Sequence, residues 1–231
     1  MIKIAILGST GSIGLTALNV VRQNKKNFNI ILLSTNSNIN KVFNQAKEFN
    51  VKNIIISGKK INHSWKKKFK KNNINIFYNF KNLKKILKKK IDYTLNSISG
   101  IDGLEPTINI IKFTRKIAIA NKEAIICGWN LINKKLIKNK TKFIPVDSEH
   151  FSIFKLLNSE DSQLINKIII TASGGPFLNE KNNFKKIKVK DALKHPNWKM
   201  GKKITIDSST LMNKVFEVIE AKKIFNINLD K

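Results

Sequence analysis

Ile4-Ala5-Ile6-Leu7-Gly8-Ser9-Thr10-Gly11-Ser12-Ile13-Gly14 carries an apolar run into a glycine-rich turn, and a helical pattern follows. A buried strand that enters such a turn and leaves as a helix is the opening unit of an α/β sheet. The glycines are spaced G-x-x-G-x-x-G rather than G-x-G-x-x-G. Gly8 permits a tight turn, Gly11 a close approach of an anion to the backbone, and Gly14 close helix packing. Thr10 and Ser12 add hydroxyl donors.

Further along, six more apolar runs alternate with helical patterns. The runs are residues 28–34, 53–57, 74–78, 91–98, 116–120 and 142–146. The helical candidates lie near 12–24, 38–49, 64–71, 80–90, 103–113 and 122–138. Runs such as "NIIIS" and "KIAIA" lack clean alternation, as expected of strands buried on both faces. The pattern predicts a doubly wound parallel α/β sheet over residues 1–146. After residue 146 it changes. A helix begins at Asp147, a strand is expected over 165–172, and an "SGGP" turn follows. A lysine-rich irregular stretch covers 179–203, then a long helix runs from Ser208 to Phe225. Residues 147–231 therefore read as a second, α+β domain.

Composition narrows the function. The 231 residues contain no apolar run of 18 or more, so no membrane-spanning helix is expected. The N-terminus lacks the pattern of a signal peptide, and the single Cys127 excludes an internal disulfide. These features point to a cytoplasmic protein. The net charge of +29 suggests a polyanion partner, yet Arg22 and Arg115 are the only arginines. Nucleic-acid readers usually also use the bidentate fork of arginine. The chain is equally rich in Asn and Ile, which share A/T-rich codons with Lys, so coding bias explains the charge. Runs such as Lys66-Lys67-Lys68 and Lys88-Lys89-Lys90 read as solvated faces. No nucleic-acid partner is expected.

A glycine turn after strand one places backbone N–H groups and a helix N-terminus where a pyrophosphate can sit. In NAD proteins an acidic residue near the end of strand two takes the ribose 2′-hydroxyl. Here that end reads Leu33-Ser34-Thr35-Asn36-Ser37-Asn38, without a carboxylate. Hydroxyl and amide groups tolerate a 2′-phosphate, which favours NADP. Lys41 is near, but spacing alone does not fix it on a phosphate.

"IPVDSEH" puts Asp147 and Glu149 at a strand's carboxyl end, and Glu217 lies on the last helix. Three of only 15 acidic residues so placed suit a hard divalent cation, Mg²⁺ or Mn²⁺. Spacing equally allows Asp147 to cap a helix with Glu149 in its first turn. Ser173-Gly174-Gly175 can form an anion nest. Ser208 and Ser209 are expected to start the last helix, where an anion is favoured. Asn213, Lys214 and Glu217 share its polar side. "HPNWKMG" (195–201) can close over a ligand. Each of these also has a plain reading as a turn, cap or exposed loop.

Together, "ILGSTGSIG", "ANKEA", "PVDSEH", "TASGGPF", "HPNWKMG" and "DSSTLMNKVFEVIEA" closely resemble the 1-deoxy-D-xylulose 5-phosphate reductoisomerase family, in order and near spacing. The resemblance implies a Rossmann-like domain over 1–146 and part of a catalytic domain over 147–231. It implies NADPH- and Mg²⁺- or Mn²⁺-dependent rearrangement and reduction of 1-deoxy-D-xylulose 5-phosphate to 2-C-methyl-D-erythritol 4-phosphate, in non-mevalonate isoprenoid synthesis. Carried over by motif, Thr10, Gly11, Ser12 and Ile13 would hold the NADPH phosphates, with Asn36, Ser37 and Asn38 near the adenosine ribose. Asn121, Glu123 and Gly201 would also contact the cofactor. Asp147, Glu149 and Glu217 would bind the metal. Lys122, Ser148, Glu149, Asn213, Lys214 and Glu217 would meet the substrate, with Lys122 and Glu149 in the chemistry. Ser173, His195 and Ser208 would hold its phosphate, under a lid that includes Trp198. The family implies a homodimer.

Two departures stand out. Family members often carry a lysine or arginine near the position of Ser37, and this sequence does not. Family chains also continue into the rest of the catalytic domain and a C-terminal helical domain. The resemblance therefore implies a fragment of an active enzyme or, alternatively, a truncated NADP-binding remnant without turnover. Filter binding to duplex DNA at physiological salt should show no tight complex, and a tight one would restore the polyanion reading.

Overall fold

The computed structural model describes residues 1–58, 60–157, 166–178, 187–198 and 201–228. The chain divides into two compact units, Met1–Val146 and Asp147–Lys231.

In the first unit all seven expected strands form. They are β1 (Ile2–Leu7), β2 (Phe28–Thr35), β3 (Asn53–Ile56), β4 (Asn75–Phe77), β5 (Ile91–Asn96), β6 (Thr114–Ile119) and β7 (Lys142–Pro145). Every pairing is parallel, in the order β4-β3-β2-β1-β5-β6-β7. The chain winds outward from β1 to β4 and returns to the other side of β1 as β5. The order reverses between β1 and β5, and open sheets bind ligands at the carboxyl ends of such a pair.

The connecting helices are α1 (Ser12–Gln23), α2 (Ile39–Glu48), α3 (His63–Lys71), α4 (Leu83–Ile86), α5 (Leu104–Ile110) and α6 (Lys122–Lys138). On one side of the sheet Ile4, Ile6, Leu33, Ile54 and Ile56 pack with Leu18 and Val21 of α1 and Val42, Phe43 and Ala46 of α2. Phe43, Trp65 and Phe69 form an aromatic trio with ring centroids 5.1–5.9 Å apart. Such burial is the main favourable term in the fold. The helix expected near 80–90 shrinks to one turn. Phe80, Leu83 and Leu87 fill the available apolar face, and the lysines after them have nothing to bury.

The glycine turn is held by its neighbours. Gly8 adopts φ +78°, and a Cβ there would stand 2.8 Å from the Ser97 carbonyl oxygen after β5. The Ser97 hydroxyl in turn donates to the Leu7 carbonyl at 2.7 Å. A Cβ on Gly14 would lie 2.4 Å from the Gly8 carbonyl oxygen, so α1 packs backbone against backbone. Ser9, fully buried, donates to Gln45 Oε1 at 2.8 Å, and Gln45 Nε2 donates back to the Ser9 carbonyl at 3.0 Å. That exchange explains a buried glutamine on the apolar face of α2.

The second unit contains α7 (Ser148–Leu157), α8 (Val189–Ala192), α9 (Lys202–Ser209) and α10 (Met212–Phe225). This unit differs from the sequence expectation in three places. The strand expected over 165–172 is absent among the described residues: 166–172 is irregular and Ile169 is 78% exposed. A strand exists by pairing, and no second strand is described in this unit to receive it. Residues 179–186 and 199–200 of the lysine-rich stretch lie outside the described residues, while 187–198 and 201–203 include α8 and the start of α9. The single helix expected over 208–225 is two helices, broken where Leu211 takes a left-handed φ of +59°. Ser208 and Ser209 therefore end α9 rather than begin a helix.

The turn offers a stability test. Gly14→Ala should destabilise the first unit by about 1–3 kcal/mol, because the added methyl meets backbone that cannot swing aside. Urea denaturation would read this, and an unchanged midpoint would show that α1 shifts without cost.

Candidate active site

In the first unit the candidate site residues lie along a rim formed by the glycine turn, the end of β2 and the start of α6. Gly11 is the residue before α1 and gives no side-chain cap, so the first-turn N–H groups remain available to an anion. Gly11, Ser12 and Ile13 are exposed, and Thr10 is half-buried. Thr10 Oγ1 lies 2.8 Å from Thr35 Oγ1, tying the turn to the end of β2. Asn36, Ser37 and Asn38 are exposed beyond that tie. Asn38 caps α2 by accepting the Lys41 N–H at 3.2 Å. This donor set suits a dinucleotide, with a phosphate at the turn and a ribose beside β2.

Asn121, Lys122 and Glu123 head α6. The Asn121 side chain, 3% exposed, accepts the Ala124 N–H at 2.8 Å and donates to the carbonyls of Ile98 and Gly100. It caps the helix and ties it to the loop after β5. The structure thus gives Asn121 a bracing role at the place where a cofactor contact was expected. Lys122 and Glu123 are half-buried beside it.

In the second unit, Asp147, Ser148, Glu149, Ser173, His195, Trp198, Ser208, Asn213, Lys214 and Glu217 line one open cavity of about 790 Å³. Asp147, Glu149 and Glu217 each offer a carboxylate oxygen, all within 4.8 Å of one another. The Asp147 carbonyl also accepts the Phe151 N–H at 2.8 Å. Asp147 therefore opens α7 through its backbone and joins the cluster through its side chain, so the two readings of the sequence are compatible. Three convergent carboxylates suit a hard divalent cation.

The carboxylates are held in place. Glu217 is 1% exposed; Asn213 Nδ2 donates to it at 2.6 Å, and Lys214 pairs with it. Lys214 Nζ also donates to Glu149 Oε1 at 3.0 Å and to the Thr171 carbonyl. One ammonium thus spans two carboxylates that would otherwise repel. Burial pushes the Glu149 carboxyl up. The Ser148 hydroxyl, the Lys214 ammonium and a backbone N–H outweigh it, so Glu149 titrates below its ordinary value. That favours the ionised form, the one in which a carboxylate can coordinate a cation.

Ser173 and His195, 22 residues apart, meet with Oγ 3.1 Å from Nε2. His195 Nδ1 accepts the N–H groups of Asn197 and Trp198 at 3.2 and 3.1 Å. That assigns the proton of a neutral ring to Nε2, facing Ser173. A Cβ on Gly175 would stand 2.6 Å from the Ser208 carbonyl oxygen, so the glycine turn packs on the end of α9. Ser208 lines the cavity from a helix C-terminus, whose dipole disfavours an anion. A phosphate there relies on hydroxyl and imidazole donors instead. Trp198 is 63% exposed, and Gly201, the exposed residue before α9, has open space around it.

Sequence reasoning missed His150 and Glu220. His150, fully buried, places Nε2 2.9 Å from the Glu217 carbonyl oxygen and Nδ1 3.5 Å from Glu220 Oε2. Asp147, His150 and Glu220 form a second group of potential ligand atoms within 4.8 Å. The spacing of Glu217 and Glu220, three apart on a helix, was the available signal. His150 adjoins Glu149 in sequence, in the first turn of α7, where its residue type alone announces no role.

Residues 4–128 match the family model of 1-deoxy-D-xylulose 5-phosphate reductoisomerase, and residues 143–225 match that of its C-terminal domain. The reductoisomerase of Pelagibacter ubique is 58% identical over 99% of this chain and 60% of its own length. That of a Thermoanaerobacter species is 42% identical over all of this chain and 60% of its own. A crystal structure of the enzyme with NADPH, fosmidomycin and magnesium superimposes with a TM-score of 0.88 at 32% identity, over 99% of this chain and 59% of that one. The Zymomonas mobilis enzyme with NADPH gives 0.81 at 30%, over 100% and 60%. The chain spans about 60% of the length of these curated relatives. With matches running through both units, this chain belongs to the 1-deoxy-D-xylulose 5-phosphate reductoisomerase family.

Proposed function

We propose that the full-length protein carrying this sequence rearranges and reduces 1-deoxy-D-xylulose 5-phosphate to 2-C-methyl-D-erythritol 4-phosphate, using NADPH and Mg²⁺ or Mn²⁺, as a cytoplasmic homodimer. The observation that carries the reading is one cavity that combines a three-carboxylate cluster with a serine–histidine pair suited to a phosphate. Among the described residues no helix is long and apolar enough to cross a membrane.

Asp147, Glu149 and Glu217 would hold the metal; the glycine turn and the end of β2 would hold NADPH. Bound there, the two would supply Lewis acidity toward substrate oxygens and a hydride. The chain's own groups do the rest. Ser173 and His195 bind the substrate phosphate, and that remote anchor positions the reacting carbons. Ser208 adds a hydroxyl to the anchor. Lys214 and Asn213 orient Glu217 and offer donors to substrate hydroxyls, and Ser148 holds Glu149. Lys122 contributes a positive charge toward developing oxyanion character. Trp198, exposed at the cavity, would form part of a lid that excludes water once ligand is bound. Glu123 and Gly201 would add cofactor contacts, and Asn121 would brace the start of α6 beside them.

Purified full-length protein should oxidise NADPH only when both the pentulose phosphate and Mg²⁺ or Mn²⁺ are present. Cofactor binding without turnover under those conditions would instead support the non-catalytic reading.

The metal assignment has a separate test. Glu217→Gln removes one charged ligand and should weaken Mn²⁺ binding about tenfold or more, roughly 1.4 kcal/mol. Binding of 2′,5′-ADP, which belongs to the first unit, should stay unchanged. Equal Mn²⁺ affinity in both proteins, measured by titration calorimetry, would rule out Glu217 as a ligand.

A further inference from the structure

The end of β2 has no charge of its own to meet a 2′-phosphate: it reads Thr35-Asn36-Ser37-Asn38. Its polar groups are partly committed. Thr35 Oγ1 contacts Thr10 Oγ1 at 2.8 Å and accepts the Asn38 N–H at 3.3 Å. Asn36 lies against Gly58, where a Cβ would stand 2.1 Å from its Oδ1. Into this corner comes Lys41, in the first turn of α2. Its Nζ donates to the Thr10 carbonyl at 3.1 Å, across 31 residues of sequence.

That contact fixes what spacing alone left open. Lys41 is half-buried, and among the described residues no carboxylate pairs with it. Its ammonium has three N–H donors, and a carbonyl takes one. Holding so flexible a side chain at a neutral carbonyl costs rotamer entropy. An anion arriving at the same corner would offset that cost. The corner also lies at the N-terminus of α2, which favours negative charge. In doubly wound sheets the adenosine ribose sits beyond the end of strand two, where a cation accommodates a 2′-phosphate.

We propose that Lys41 is the residue by which this site selects a 2′-phosphorylated adenine nucleotide over its unphosphorylated counterpart. The proposal rests on the NADPH reading above and assigns the selectivity to one side chain. Lys41 acts as a point charge reaching in from the helix, in place of a cation on the β2–α2 loop.

Calorimetric titration of 2′,5′-ADP and ADP into the full-length protein, its Lys41→Met variant and its Lys41→Arg variant tests this without turnover. The unsubstituted protein should prefer 2′,5′-ADP. Lys41→Met should weaken 2′,5′-ADP about tenfold or more and leave ADP within about twofold, the effect of one charge-assisted contact. Lys41→Arg should retain most of the preference. A preference that survives in Lys41→Met overturns the proposal. A parallel loss of both nucleotides also overturns it, because Lys41 would then only brace the turn. Absence of any preference in the unsubstituted protein counts against the NADPH reading itself.

Discussion

The backbone of Gly8 lies against that of Ser97, so closely that a methyl group on Gly8 would stand 2.8 Å from the Ser97 carbonyl oxygen. This contact joins the ends of the two strands between which the sheet reverses its winding. It sets the height of the glycine turn above the sheet, and with it the start of α1. Gly14 then brings α1 onto the Gly8 carbonyl. Ser9 locks the turn to α2 through Gln45, and Thr10 locks it to β2 through Thr35. A side chain at Gly8 or Gly14 would move every donor on that rim.

The second unit is organised by charge. Glu217 is almost fully buried, and a buried carboxylate without partners is costly. Lys214 and Asn213, on the same helix, supply partners, and Lys214 also reaches Glu149 on α7. The His150 ring crosses from α7 to the Glu217 carbonyl and to Glu220. The acidic cluster is thus both the candidate chemistry and a tie between α7 and α10. A cation entering it competes directly with the Lys214 ammonium.

Much of the fold was legible because buried parallel strands write themselves as short apolar runs. All seven runs of the first unit became strands, and the glycine turn fell after β1 as read. The α4 segment was overread because lysines pass for the polar face of a helix even where no apolar face remains. In the second unit the apolar run at 166–172 looked like the others, but a run becomes a strand only beside another. The helix break at Leu211 was hidden for a different reason. Leucine rarely takes a left-handed conformation, so nothing in its type announces one.

Sequence by itself determined the seven strands, the glycine turn, the uncharged end of β2, the three carboxylates and the family. These are local, because a short apolar run, a glycine's freedom of φ and a side chain's charge are written in the residues themselves. Tertiary structure alone decided which distant groups meet. It set Ser173 on His195, put Lys214 between Glu149 and Glu217, brought His150 to Glu220, and carried Lys41 to Thr10. Apart from Lys214 and Glu217, neighbours on one helix, these pairings span 22 to 70 residues, and each depends on how segments distant in the chain pack together. Periodicity tells which face of a helix is buried, not which side chain lies opposite it.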